Sequence, residues 1–375
     1  MQHAKLSPSA SSRWINCTGS ILLSDLMADK YGTDNIFTSS NAANEGSLAH
    51  EISEKALKSS KDTIEFIGYK AFNHTADESM CAYTQEYVDF VRSIPGTRFI
   101  EQQVTVNKDL WGTADAIVIN ADTLHTVDLK FGMGVKVYAT NNTQARIYAL
   151  GTIKTLSSSI PAGVKKVTMT IHQPRLDHID SETITLTDLF KWEREVLNPA
   201  IKAVQASTSD LLDLHPSESA CKFCPAKAYC PKLYSDMIEL FDNNVDEVTD
   251  TQLSAILDKL SLIESWSKSL RDRAFNTMRN GGNIDGYKLV EGRSMRKWKD
   301  ESHAIELLST ITDTDKLFTR KFVSPSQAEK IIGKKTMVNF LNLISKPPGK
   351  PTIVSIHSKK PAITSSKVNV SLFNE

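Results

Sequence analysis

Two strand-like runs joined by a short turn constrain this chain more than any other stretch in it. Trp111 to Ile119 and Leu124 to Lys130 are rich in β-branched and apolar residues, and they flank Asn120-Ala121-Asp122, a turn composition. They are expected to pair as a hairpin. Side chains on a strand alternate faces with period 2, so Asp128 and Lys130 share a face. Asp115, Asp128 and Lys130 stand where a half-buried hairpin would carry apolar groups. Two carboxylates and a lysine at strand ends describe a divalent-metal site with a charged partner for water or phosphate. Surface strands also carry charges, so the hairpin alone leaves both readings open.

Around the hairpin, the apolar spacing alternates between helix and strand. Leu48, Ile52 and Ala56 recur every four residues and predict a helix from Asn44 to Ser59, with Gly46 and His50 one turn apart on a neighbouring face. Met80, Tyr87, Val91 and Ile94 predict a second helix over 77–94, ended by Pro95-Gly96. Arg98 to Val106 reads as a strand, 142–156 as a helix, 164–173 and 182–186 as strands. Thr187-Asp188-Leu189 then opens a helix that Pro199 is expected to kink. This order predicts an α/β fold, a mixed central sheet flanked by helices, with no internal repeat. Thr249 and Gln252 form a capping-box pattern at the start of a long helix whose apolar stripe is Leu253, Ile256, Leu257, Leu260 and Ile263, ending at Asn280-Gly281-Gly282. From Lys268 to Lys299 there are nine Lys/Arg against three Asp/Glu, a run read first as a solvated helix face. Ser324-Pro325 marks another helix start, and Lys346 to Pro351 an extended tail.

At 375 residues the chain has room for more than one domain. The expected divisions are 1–235, a long helical segment over 236–283 and an accessory region over 284–375. Acidic and basic residues balance at 44 each, so no overall field points to a polyanion, although a cleft can concentrate charge locally. No apolar run is long enough to span a membrane. The first residues lack the apolar core of a signal peptide, so a cytoplasmic location is expected. In that compartment cysteines suggest metal or redox chemistry rather than disulfides.

Three of the five cysteines, Cys221, Cys224 and Cys230, follow a C-x₂-C-x₅-C spacing able to reach one soft metal, either zinc or an iron–sulfur cluster. Cys17 supplies a fourth ligand only if the N-terminus folds back. Cys81 lies on a patterned helix and reads as a small buried hydrophobe. Gln144 and Tyr148, at i and i+4, project from one helix face.

Taken in order, Gly46-x₃-His50, Asp115, Asp128-x-Lys130 and Gln144-x₃-Tyr148 resemble the PD-(D/E)xK nuclease superfamily in its RecB-like branch. One cysteine before this core and three after it resemble the AddB-type and CRISPR-associated exonucleases that carry a [4Fe–4S] cluster. The likeness covers about residues 13–235. Residues 324–330 and 346–351 further resemble an uncharacterised family common in bacteriophage genomes. The resemblance implies a restriction-endonuclease-like core with a helical or α+β C-terminal extension. It also implies a metal-dependent DNA exonuclease acting on free ends in recombination, replication or DNA degradation. His50, Asp115, Asp128 and the Leu129 carbonyl would ligate Mg²⁺ or Mn²⁺, Lys130 would orient or help deprotonate water, and Gln144 and Tyr148 would position the strand. Glu101 would support the site from the preceding strand. Cys17, Cys221, Cys224 and Cys230 would hold the cluster, with zinc as the alternative. No nucleotide-binding G-x₄-G-K-[S/T] motif is present, so any unwinding would come from a helicase or recombination partner in trans. The competing expectations are a DNA-end-binding recombination or packaging factor with an idle site, and a zinc-stapled structural protein.

Overall fold

Alternating apolar residues along five strands generate the sheet that organises the protein. The computed structural model describes residues 4–37, 41–241 and 249–288. The chain divides into two units, residues 1–288 and 289–375, and everything below concerns the first. The expectations for the basic run beyond residue 288, for Ser324-Pro325 and for the Lys346–Pro351 tail lie outside the described residues.

Helix α1 (Ser11–Asn16) opens the fold, followed by a helix over Ser20–Tyr31. Helix α2 (Asn41–Ser59) and helix α3 (Glu78–Ser93) come next, separated by a two-residue hairpin between Lys70–Ala71 and His74–Thr75. Asp77 caps α3 by accepting from the Met80 amide. The sheet follows: β1 (Thr97–Asn107), β2 (Leu110–Ile119), β3 (Thr123–Leu129), β4 (Lys166–Gln173) and β5 (His178–Thr185). Sheet order equals chain order, and every pairing is antiparallel except β3 with β4. That parallel step needs a crossover, which helix α4 (Thr143–Thr155) supplies, capped by Asn142. The result is a mixed α/β fold with a five-stranded central sheet flanked by helices.

Both faces of the central strands are covered. Ala116, Val118, Val127 and Leu129 pack against Tyr87, Val88 and Val91 of α3. Ile117, Ile119, Leu124 and Met169 pack against Ile147 and Leu150 of α4 and the helical stretch after β5. The hairpin expected to be half-buried is therefore buried on both sides, since a parallel neighbour and helices on each face close it from water. Its charged residues are interior groups.

Two other expectations change. Pro199 sits in the first turn of the helix over Asn198–Ala206, after a wide π-helical turn at Glu193–Leu197 that loosens the backbone where a proline would otherwise clash. Helix α5 (Asp250–Arg279) has the expected capping box, but its stripe is not buried: Leu253 is 47% exposed, Leu257 39% and Leu260 40%. The face it buries is centred on Leu262, with Ile263 and Trp266, against the cysteine-bearing segment. No described element covers its first turns.

The Ser-rich N-terminus does structural work that its composition conceals. Trp14 is fully buried and donates from Nε1 to the Ser7 carbonyl. Pro8 lies so close to Gly112 on β2 that a Cβ there would sit 2.9 Å from Pro8 Cγ and 3.2 Å from Tyr148 Cε1. Ser11 bonds Thr143 at 2.6 Å, so α1 clamps the N-terminal end of α4.

Candidate metal centre

The register of the first two strands places two carboxylates side by side. Ile100 faces Ala116 and Gln102 faces Ala114, so Glu101 and Asp115 lie opposite each other between those pairs. Glu101 has φ +49°, a left-handed conformation rare for a side-chain-bearing strand residue. Such strain gathers where geometry matters for function. His50 of α2 meets this pair, its Nδ1 3.4 Å from Asp115 Oδ1 and 3.9 Å from Glu101 Oε1. Among the described residues, His50, Glu101 and Asp115 are the one group of three metal-type ligands whose donor atoms all lie within 4.8 Å of one another.

Asp128 lies on the same sheet face, one strand further on. Its Oδ1 accepts from Gln144 Nε2 at 3.0 Å, and its Oδ2 lies 2.9 Å from the Lys130 ammonium. Lys130 donates to Gln144 Oε1 at 3.1 Å, and Gln144 also donates to the Tyr148 hydroxyl at 3.3 Å. The helical i, i+4 pair and the strand pair thus form one network. The Leu129 amide donates to Asp115 Oδ2 at 2.7 Å and fixes that carboxylate. Glu101, expected in a supporting role, is in the tight trio, whereas Asp128 faces the Lys130–Gln144 side. The left-handed backbone at Glu101, invisible to pattern reading, accompanies that arrangement.

Electrostatically the site carries more negative charge than its protein partners neutralise. Burial and then the neighbouring Asp115 push the Glu101 carboxyl up to about 7. Burial, only partly offset by Lys130, also raises Asp128, and Asp115 adds to the rise. Burial pulls on Asp115 the same way, but the charge and hydrogen bond of His50, with Lys130 and the Leu129 amide, hold it below its usual value. Burial opposes charging of His50, yet Asp115, Asp128 and Glu101 together raise it to about 9. Lys130, despite burial, is held as an ammonium by Asp128. Asp128 Oδ2 is buried and has no aligned hydrogen bond. An imidazole and three clustered carboxylates, one of whose oxygens is paired only with the Lys130 ammonium, fit a divalent cation such as Mn²⁺ or Mg²⁺.

The four cysteines also draw together. Cys221, Cys224 and Cys230 share a small apolar cluster with Leu233, Met237 and Leu262. Cys17 accepts from the His215 amide at 3.3 Å. Burial raises all four thiols, Cys221 to about 11, and their mutual repulsion adds to it. Arg13 hydrogen-bonds Cys224. Lys227, 8% exposed, has its ammonium on Ser265 and the Lys222 carbonyl and makes no ion pair among the described residues. Burial pulls its ammonium below the usual lysine range, and Cys221 and Cys224 would oppose that shift as thiolates, the form in which thiols bind metal. Cys81, by contrast, is 2% exposed and packs among Leu48, Ile52 and Met80, as expected of a core thiol.

A family model described as "Protein of unknown function (DUF2800)" matches residues 3–361. The chain belongs to the DUF2800 family. A solved structure titled "Crystal structure of SSO0001" is similar over 49% of this chain and 84% of its own, at 15% identity and a TM-score of 0.24, a likeness too slight to carry an argument.

Two cavities flank these groups in the DUF2800 chain. One of about 890 Å³ opens beside the trio, lined by His50 and Glu101 together with Lys55, Lys58, Phe66 and Phe72. The other, about 980 Å³, reaches Cys224 and is lined by Arg13, Tyr229 and Arg273, with the Arg273 guanidinium 4.0 Å from the Tyr229 ring centroid. Among the described residues of the basic run, Arg273 is partly buried and stacks on Tyr229, whereas Lys268, Arg271, Arg279 and Lys288 are exposed, as a solvated face requires. No described helix is long and apolar enough to cross a membrane.

Proposed function

We propose that this protein is a divalent-metal-dependent DNA exonuclease with a PD-(D/E)xK, RecB-like core. The observation that carries the reading is the convergence of His50, Glu101, Asp115 and Asp128 on one sheet face with the Lys130 ammonium beside Asp128. When bound, the cation supplies charge stabilisation for the phosphate and lowers the pKa of a coordinated water. His50, Glu101 and Asp115 would hold it, with Asp128 as a further oxygen donor. Lys130 is an ammonium and so cannot accept a proton. Its role is to orient the attacking water and to offset charge on the phosphate oxygens. Gln144 ties Lys130 to Asp128 and keeps both aimed at the same point. Tyr148, its hydroxyl held protonated by burial and the nearby carboxylates, accepts from Gln144 and keeps its own proton to donate, which suits a phosphate contact.

The cysteines support a structural cluster in the same reading. Four thiols drawn together can hold either a tetrahedral zinc or a [4Fe–4S] group, and the resemblance to cluster-bearing exonucleases favours the latter. Cys17 is more than two hundred residues from its partners, so such a group would close a long loop and tie the N-terminal clamp to the segment after the sheet.

End-labelled DNA incubated with purified protein and Mn²⁺ tests the catalytic reading. Digestion that disappears in Asp128→Asn is expected; no digestion, or digestion that survives the substitution, refutes it. Metal analysis finding zinc and no iron would remove the cluster assignment and leave the nuclease assignment standing.

A further inference from the structure

The hairpin between α2 and α3 turns in two residues, Phe72 and Asn73, both with positive φ (51° and 60°). This is the type I′ geometry, which favours Asn or Gly at both positions and penalises a bulky side chain. Asn73 obeys the rule and Phe72 breaks it. Burial does not reward the exception, because Phe72 is 47% exposed. The exposed ring instead lines the same cavity as His50 and Glu101 of the metal trio.

The same cavity is also lined by Lys55, Lys58 and Lys61. Each is held by a surface carboxylate, Glu51 at 3.4 Å, Glu54 at 2.6 Å and Glu65 at 2.8 Å. Exposed pairs of this kind contribute little and exchange readily for another anion. A flat aromatic face, a row of cations and a cation-binding trio around one cavity match one nucleotide unit and its flanking phosphates. Bases in a duplex are already stacked on both faces, so a protein ring serves a base that has left the helix.

We infer that Phe72 is the platform on which an unpaired base of single-stranded DNA stacks while the adjoining phosphate lies at the metal trio. This rests on the nuclease reading and adds to it a single-stranded substrate at the point of cutting. Phe72 is a positioning residue. Stacking is equally present before and during the reaction, so its loss acts on KM rather than on kcat.

The test uses Phe72→Asn, which suits the turn better than the native residue and so keeps the fold, and Phe72→Trp, which keeps the stacking face. On oligo-thymidylate, Phe72→Asn is expected to raise KM about fivefold or more, with kcat nearly unchanged and Phe72→Trp near the native KM. In the non-cleaving Asp128→Asn background, oligo-thymidylate is expected to quench the fluorescence added by Trp at 72, and a blunt duplex of equal length to quench it far less. An unchanged KM in Phe72→Asn, absence of quenching, or equal quenching by the duplex overturns the inference. Quenching without any digestion by the native protein overturns the nuclease reading and leaves the stacking platform in place.

Discussion

Protons and the metal compete for the same atoms, and the structure gives the size of that competition. With no cation bound, His50 is held up to about 9 and Glu101 to about 7, so at about pH 6 both carry a proton that a metal must displace. At about pH 8 Glu101 has already released its proton and only His50 still gives one up. Affinity therefore rises with pH: by close to two decades from His50 and about one from Glu101 between pH 6 and 8. The His50 side chain is 34% exposed, and solvent screening trims its share. The expected gain in Mn²⁺ affinity is about a hundred- to a thousandfold. Titration calorimetry in buffers of contrasting protonation enthalpy measures both quantities directly. Release of about two protons per Mn²⁺ at the lower pH and about one at the higher is expected. Affinity that changes less than about tenfold, or binding with no proton release, would falsify the assignment of this trio as the ligand set.

Four substitutions carry the remaining predictions. Glu101→Gln should stabilise the metal-free protein at pH 8 by about 2–3 kcal/mol in chemical denaturation. The sign follows from a raised pKa: stability is full below the unfolded value near 4.5 and is lost as pH rises through about 7. The same variant should lose most of its Mn²⁺ affinity by calorimetry. Lys130→Ala should lower the rate of DNA digestion by about a hundredfold or more while Mn²⁺ still binds. Trp14→Ala should cost about 3–5 kcal/mol by urea unfolding, because it empties a fully buried site and removes the bond to Ser7. Cys221→Ser should release the metal held by the thiols, read by elemental analysis, and lower the melting temperature. If Cys221→Ser retains a full complement of metal, that nest is not a metal site.

The sequence carries local patterns well. Asp77, Asn142 and Thr249 cap the helices where their side chains suggest, because a cap depends on residues three positions away. Asp128, Lys130, Gln144 and Tyr148 form a single network because periods of 2 and 3.6 decide which side chains share a face. Placement across elements is another matter. Nothing local to Glu101 signals its left-handed backbone, and only the β1–β2 register sets it against Asp115. Trp14 sits in a polar stretch, yet the clamp it anchors depends on Pro8 meeting Gly112 a hundred residues later. The stripe on α5 shows the opposite failure: amphipathic spacing marks a face that could be buried, not one that is.

Glu101 and Phe72 have one further implication, which concerns the history of the family. Both hold backbone angles that glycine or asparagine adopts without cost, so replacing either would make the polypeptide easier to fold. Relief of backbone strain therefore favours glycine or asparagine at both positions, and only a use for the native side chains opposes it. Lineages that have ceased to need the site should show glycine or asparagine there first, well before the buried apolar positions around Leu129 begin to drift.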